Sequence, residues 1–434
     1  MTAPTRLPVF LVGLALGAVL GVVLCSRYMA LTEPDVAHYR EVRDYTKSAF
    51  VRDVSDEQML SWALRGLASG LDDYSQYYDL AESAALARET SGRYFGLGIV
   101  LKPPTREGRI LFPLSGSPAM AAGVRVGDRI VKIEQRPFEE IDEAEFRALI
   151  SGNVPHDVEL VLEGLDRTQR TLTVRTAEVI EPSVRHERML DPERKVGYVA
   201  VTTFSRETPG EFAAAIERMR GDGLRSLIID LRQNTGGVLH AAVEMARMFV
   251  TEGLIVSTEG RGEPVRYTAD KNAAICAGMP LVVLVDESTA SASEVFAAAV
   301  REHEVATLIG SSTYGKGLVQ TLHRFGDPGP VMKVSTSYYF TPSHTNLEHS
   351  ADTSKPRGLQ ADVRVTMTAE ERVALRDRLA RASPPRECRA AIAAWENTEG
   401  ATLVEPIPLD AQLKSALEYL TSDTPEPKRA PSSS

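Results

Sequence analysis

Three short stretches of the chain carry the residue types that acyl chemistry needs. In Ser288-Thr289-Ala290-Ser291-Ala292-Ser293-Glu294, a serine sits among small side chains between an apolar run, LVVLVD, and a helical run, EVFAAAV. Ser291 and Glu294 fit S-x-x-E, so an ordinary helix N-cap with its capping box is one reading. The other reading uses the same place for chemistry. A serine at a helix N-terminus lies in a positive local field, and the N–H of Ala292 after it can stabilise a tetrahedral oxyanion. In the second stretch, Gly310-Ser311-Ser312-Thr313-Tyr314-Gly315-Lys316, the spacing G-x-x-x-x-G-K imitates a phosphate loop. Gly317 stands where the magnesium-binding hydroxyl belongs, and the following GLVQTLHRF is β-like, so no nucleotide site is expected. The third stretch, DLRQNTGG over 230–237, follows a strand-like run and opens a helical one. Bare N–H groups at Gly236 and Gly237 can face an anion there, or the glycines simply permit a tight turn.

A nucleophilic serine needs a proton acceptor, and the usual signatures are missing. There is no G-x-S-x-G elbow, no HExxH and no CxxC, so neither an α/β-hydrolase nor a metal site is expected. His240, His303 and His323 lie near the three stretches in sequence. Lys316 is the other candidate, because it occupies a Gly-flanked, nearly apolar loop, and a desolvated amine whose pKa falls toward neutrality acts as a general base.

The elements that must position these residues fall into blocks. Apolar Met59, Leu60, Ala63, Leu64 and Leu67 recur at helical spacing within a helical region over 33–90. Over 92–178, five short β-like runs (GLGIVL, GRILFPL, DRIVKIE, VELVLEG, RTLTVRT) bracket two short helices. One is opened by Ser117-Pro118, the other by a capping box of Asp142 and Glu145. From 179 to 366 strand and helix patterns alternate, which predicts an α/β core with a largely parallel sheet and with its chemistry in loops after strand ends. A further helical stretch covers 367–422, and 423–434 reads as a disordered tail.

The segment GSPAMAAGVRVGDRIVKIEQRPF resembles PDZ domains, with Phe95-Gly96-Leu97-Gly98-Ile99 where that family keeps its carboxylate-binding loop. TASASEVFAAAV, then GSSTYGKGLVQ with a lysine 25 positions after Ser291 and a glutamine four further on, resembles the carboxyl-terminal processing (tail-specific) proteases. LASGLDDYSQYY, FGLGIV, IIDLRQNTGG, YYFTPS and GLQADVRV extend the likeness in the same order over most of the chain. The resemblance implies a crotonase/ClpP-like serine protease core with an inserted PDZ domain. It implies Ser291 as acylating nucleophile, Lys316 as general base and Gln320 as the residue orienting the lysine. Ala292 with Gly236 or Gly237 would form the oxyanion hole, and Leu97, Gly98 and Ile99 would bind peptide. It further implies substrates that are unfolded or tagged proteins with apolar C-termini, self-association through the N-terminal helices, gating by PDZ movement and delivery by an adaptor protein, with no cofactor. Thr235 and Ala361 depart from the family's prolines beside this site. As an ordinary extended strand, 316–320 would hold Lys316 and Gln320 about 13 Å apart, so the two side chains must converge on a point between them.

The remaining composition bounds the alternatives. With 59 acidic against 49 basic residues, the net charge is −10, and no basic stripe is present to hold a nucleic-acid backbone. The uncharged run from Leu7 to Leu24 is long enough to span a bilayer as a helix. Residues 7–25 therefore read as a single-pass inner-membrane anchor, with 1–6 cytoplasmic and the catalytic part periplasmic. A cleaved signal peptide is the alternative. Cys276 and Cys388 can pair in an oxidising compartment or remain separate buried thiols. Two other functions stay open on the residues alone. One is a catalytically silent PDZ scaffold in a protease-like fold; the other is an acyl-transferring or lyase-type enzyme on the same architecture.

Overall fold

The computed structural model describes residues 34–152, 154–348 and 358–422, together with Gly17 and Gly21. The rest of the expected anchor at 7–25, the N-terminal 1–6 and the tail at 423–434 lie outside the described residues. Among those described, no helix is long and apolar enough to cross a membrane.

The chain forms two compact units. The smaller contains helices Pro34–Ala49 and Asp56–Ser69, strand Gln76–Tyr78 and the segment Leu322–Val334. Ser55 and Gln58 close a capping box at the second helix, and Gln76–Tyr78 pairs antiparallel with Val331–Lys333. A strand thus interrupts the helical region expected over 33–90, where consecutive tyrosines favour extended pairing.

The larger unit holds the two remaining modules. Its α/β core is a six-stranded sheet in the order Val184–Asp191, Val196–Val201, Ser226–Asp230, Leu281–Val285, Ala306–Gly310, Val363–Arg364. The first pair is antiparallel and every later pair parallel. The strands 196–201, 226–230 and 281–285 are buried at every residue, because helices cover both faces. Alternate residues sort the faces. Val199, Val201, Ile229 and Val283 pack beneath helices Thr208–Gly221, Leu239–Arg247 and Ala292–Glu302. Tyr198, Ala200, Ile228 and Val282 pack beneath Ala369–Ala380 and Ala411–Thr421.

In the second module, strands Arg93–Gly96 and Ala177–Ile180 pair where the chain enters and leaves, and Ile99–Leu101 pairs with Ile110–Pro113. Arg129–Ile133, Arg136–Pro137, Asp157–Glu163 and Gln169–Arg175 make a four-stranded antiparallel sheet. The helix caps act as their sequences require: Ser117 is an N-cap that accepts from the Met120 N–H, and Asp142 and Glu145 form a capping box on Glu143–Ile150. Outside this module's own core, Leu111, Phe112 and Leu114 pack against Cys388, Ile392 and Trp395 of helix Arg386–Glu399. Cys276 and Cys388 are both free and lie in different apolar clusters.

The last helix, Ala411–Thr421, is tied to the core by charge as well as packing. Arg232, fully buried, reaches both oxygens of Asp410 at 2.9 Å, Gln412 Oε1 at 3.1 Å and Asp230 through its Nε at 2.9 Å and Nη2 at 2.7 Å. Tyr198 donates to the same Asp230 at 2.7 Å. Removing one partner of such a cluster leaves charge in a dry interior without compensation. Asp410→Ala is therefore expected to lower the unfolding free energy by about 3 kcal/mol, measured by urea titration. A loss below about 1 kcal/mol would assign the docking of this helix to apolar packing alone.

Candidate active site

Three neighbouring parallel strands end at Asp230, Val285 and Gly310, and the three stretches singled out by composition are the loops that leave those ends. Ser291 heads helix Ala292–Glu302 with φ 58° and ψ −119°, a conformation that side chains other than glycine's rarely adopt. Such a backbone costs of order 1–3 kcal/mol and persists only where its surroundings over-determine it.

Glu294 is the largest part of those surroundings. Its carboxylate is 0% exposed. One oxygen, Oε2, accepts the Ser291 N–H at 2.9 Å and the Lys316 N–H at 2.8 Å. The two backbone nitrogens are therefore no more than about 5.7 Å apart. The other oxygen accepts the Gly315 N–H at 2.7 Å and the Thr313 hydroxyl. Burial pushes the Glu294 carboxyl above its usual range, and the bonds from Thr313, Lys316, Gly315 and Ser291 pull it back. The expected capping box is thus only part of what this residue does. The phosphate-loop-like G-x-x-x-x-G-K segment is an anion cradle, and the anion in it is the protein's own carboxylate.

A second buried carboxylate, Asp286, holds the glycine-rich loop. It accepts the Gln233 N–H at 3.0 and 3.2 Å, Gln233 Nε2 at 2.6 Å, and the Ser288 and Thr289 N–H groups at 3.0 and 3.1 Å. Burial raises its carboxyl against these bonds. The Asn234 carbonyl accepts from the Ala290 N–H and the Ser293 hydroxyl, each at 3.1 Å. Only glycine fits at the resulting closeness. A Cβ on Gly236 would stand 2.8 Å from Ser291 Cβ and 3.0 Å from the Ala292 nitrogen, and one on Gly237 would stand 2.1 Å from the Phe204 oxygen. Of the expected anion donors, the Gly236 N–H is already spent on Asn234 Oδ1 at 2.9 Å. Among the described residues, the N–H groups of Gly237 and Ala292 donate to no acceptor.

Ser291 is buried and Lys316 half-buried. Gln320 lies on strand Leu318–Arg324, and its buried Nε2 has no hydrogen-bond partner among the described residues. Lys316 precedes that strand, so the fully extended 316–320 geometry does not apply. The three histidines are engaged elsewhere. His240 is exposed near Glu244, His303 bonds the Leu254 carbonyl at 2.7 Å, and His323 stacks edge-on against Phe325. One neighbour escaped the sequence reading: Tyr339, a residue 3% exposed, whose phenol lies beside the Ser291 side chain. Burial pushes its pKa up to about 12, so it stays protonated. The Tyr339 N–H also bonds the carbonyl of Gly317, next to Lys316, at 2.7 Å.

In the 92–178 module, the Leu97 and Gly98 carbonyls turn inward, accepting the Ala119 and Leu114 N–H groups at 3.0 and 2.8 Å. Gly98 has φ +73°, and a Cβ there would meet Ser117 Cβ at 2.3 Å. The Leu97 and Gly98 N–H groups donate to no described acceptor. Beside them a groove of about 460 Å³ runs between strand Ile99–Leu101 and helix Glu143–Ile150, lined by Ile99, Leu101, Phe146 and Ile150. Tyr94, Glu181, Pro182, Arg185 and Ala380 also line a cavity of about 610 Å³ that reaches Gln233 and Thr235 of the glycine-rich loop.

A serine at a strained strand-to-helix turn, beside a lysine and two unspent N–H groups, with a peptide-sized groove on the same unit, defines a serine peptidase carrying a PDZ domain. Residues 195–365 match peptidase family S41, and residues 113–164 match a PDZ domain family. The carboxy-terminal-processing protease of Bartonella bacilliformis is 29% identical over 325 residues, 73% of each chain. The carboxyl-terminal-processing protease of a Synechocystis species is 35% identical over 263 residues, 59% of this chain and 61% of that one. A solved photosystem II D1 C-terminal processing protease is 30% identical, covers 75% of this chain and 86% of its own, and has a TM-score of 0.42. The chain belongs to the carboxyl-terminal processing proteases of family S41, which are serine-type peptidases.

Glu294→Gln keeps the shape of the side chain but cannot accept at its nitrogen, so two of the four donors would face another donor. We expect kcat on a peptide substrate to fall about 10²-fold, the size of loss that a displacement near 1 Å produces. Peptide affinity for the groove should not change. Steady-state kinetics beside a peptide titration checks both, and a kcat within threefold of wild type would show that the carboxylate does not hold the lysine loop in place.

Proposed function

We propose that Ser291 attacks the scissile carbonyl while the Lys316 amine takes its proton, with Gln320 orienting that amine. The tetrahedral oxyanion is held by the Ala292 and Gly237 N–H groups, which donate to no acceptor among the described residues. The Lys316 ammonium then gives its proton to the leaving amine, and water repeats the sequence on the acyl-enzyme. The observation that carries this reading is the single oxygen of Glu294 that binds the backbones of both Ser291 and Lys316. Neither a metal ion nor a cofactor enters any step.

The substrate follows from the groove. An extended chain can add to the free edge of Ile99–Leu101, place its terminal carboxylate at the Leu97 and Gly98 N–H groups, and bury an apolar last side chain between Ile99 and Ile150. The wall shared with the second cavity offers a route toward the glycine-rich loop. The substrates are therefore unfolded or tagged proteins with apolar C-termini. The core is of the crotonase/ClpP-like kind, and the run at 7–25 anchors the chain in the inner membrane with the protease on the periplasmic side. Self-association and delivery by an adaptor protein complete the reading.

Ser291→Ala and Lys316→Ala are expected to lower turnover by at least 10³-fold while leaving peptide binding intact. Cleavage surviving in Ser291→Ala would remove the nucleophile assignment, whereas a wild-type protein that binds peptides and cleaves none would favour a binding scaffold. Peptides differing only in their last three residues should be cleaved in order of terminal apolarity, and amidating the terminus should abolish the preference. Activity should rise with pH as the lysine loses its proton and should not respond to chelators, both read from initial rates.

A further inference from the structure

Gln233 occupies the left-handed region, φ 62°, which a glycine would adopt at less conformational cost. Its contacts offset that cost. The backbone N–H bonds both oxygens of Asp286, and the side-chain Nε2 bonds Asp286 Oδ2 at 2.6 Å and Ser288 Oγ at 3.2 Å. One residue thus grips one carboxylate with two amides. That carboxylate, fully buried, belongs to the segment that ends in Ser291. Three residues after Gln233 comes Gly236, whose backbone abuts Ser291 and the Ala292 nitrogen, and then Gly237 with its unspent N–H. The Thr235 N–H, between Gln233 and Gly236, donates to no acceptor among the described residues. The Gly236 carbonyl is held by the Phe204 N–H at 2.9 Å and the Thr203 hydroxyl at 3.2 Å, while two residues tie the loop to the serine's own segment: Asn234, whose carbonyl accepts from Ala290 and Ser293, and Gln233, which binds Asp286.

We propose that Gln233 is a positioning residue of the oxyanion loop: by holding Asp286 with both its amides, it sets the register in which the Gly237 and Ala292 N–H groups face one point. The proposal rests on the reading of Ser291 as nucleophile. Gln233 need not touch substrate. It acts through the loop.

The test uses the full chain and two variants. Gln233→Gly removes the side-chain half of the grip, leaves the backbone N–H on Asp286 and relieves the backbone, so its thermal midpoint should not fall. Gln233→Asn keeps an amide on a residue that tolerates the left-handed region but shortens the reach to Asp286. Both should lose about tenfold in kcat with KM within twofold of wild type. Both should also bind a peptide aldehyde, which forms a tetrahedral adduct with the serine, about tenfold more weakly. Binding of the matching peptide amide, which forms no adduct, should be unchanged. Wild-type kcat and aldehyde affinity in both variants would overturn the proposal, as would equal losses for aldehyde and amide. Ser291→Ala, measured alongside, separates the two levels. If it still turns over substrate or still discriminates aldehyde from amide, the nucleophile reading has failed. If it is inactive while the Gln233 variants behave as wild type, only the positioning role has.

Discussion

A carboxylate removed from water costs several kcal/mol unless its lone pairs are filled, and a charge-assisted hydrogen bond returns roughly 1.5–3 kcal/mol. Glu294 is removed from water entirely and has four donors within reach. The comparison of magnitudes says that no one of these bonds suffices and that the four together do. The carboxylate therefore cannot be satisfied unless the loop over 313–316 has folded onto the start of the serine helix. That single requirement converts an unfavourable burial into a constraint on geometry. It brings together two segments that the chain itself separates by 25 residues, and it supports the strained backbone of Ser291 through its own N–H.

Asp286 applies the same logic to the third loop. It stands at the end of strand Leu281–Val285, so one segment of about ten residues carries both buried carboxylates, one reaching back to Gln233 and the other forward to Lys316. The parallel sheet makes this economical, because neighbouring strands deliver their exit loops to the same edge. What the sheet cannot supply is closeness to within a bond length or two. The glycine pair supplies it: backbone can approach the serine and Phe204 at distances that any side chain at 236 or 237 would forbid. Coarse placement thus comes from strands, fine placement from buried acids, and contact from missing side chains.

Much of this is legible in the sequence, and the boundary between what is and what is not follows interaction range. The strand and helix alternation, the capping box of Asp142 and Glu145, and the three loops that carry Ser291, Lys316 and Gly237 are encoded by residues within a few positions of one another. Glu294 was visible only as a local cap, because S-x-x-E looks the same whether the carboxylate ends at its own helix or also binds a loop 19 to 22 residues away. The clue was its company: an acid heading EVFAAAV, a run buried at every position. Tyr339, Asp286 and the Arg232–Asp410 pair, which spans 178 residues, obey no period at all. The Lys316 to Gln320 spacing misled in a different way, since the strand begins at Leu318 and the lysine precedes it.

The C-terminal helices show how far the same reasoning extends. Asp410 sits at the start of the last of them and shares Arg232 with Asp230, and Arg232 directly precedes Gln233 in the glycine-rich loop. Helix Arg386–Glu399 meanwhile buries Trp395 and Ile392 on Phe112 and Leu114 of the PDZ module, while Ser115 donates to Glu387 at 2.7 Å. One helical region therefore touches both the module that would read a peptide's end and the loop that would hold its oxyanion. A shift of the PDZ module large enough to part Phe112 from Trp395 would uncover apolar surface at roughly 25 cal/mol per Å², whereas a shift that carried helix Arg386–Glu399 along would strain the chain leading to Asp410. The ion cluster at Arg232 resists that strain, because separating it would strand charges in a dry interior. The glycine-rich loop is in this way anchored from beneath, through Arg232, by Asp410 at the start of the last helix.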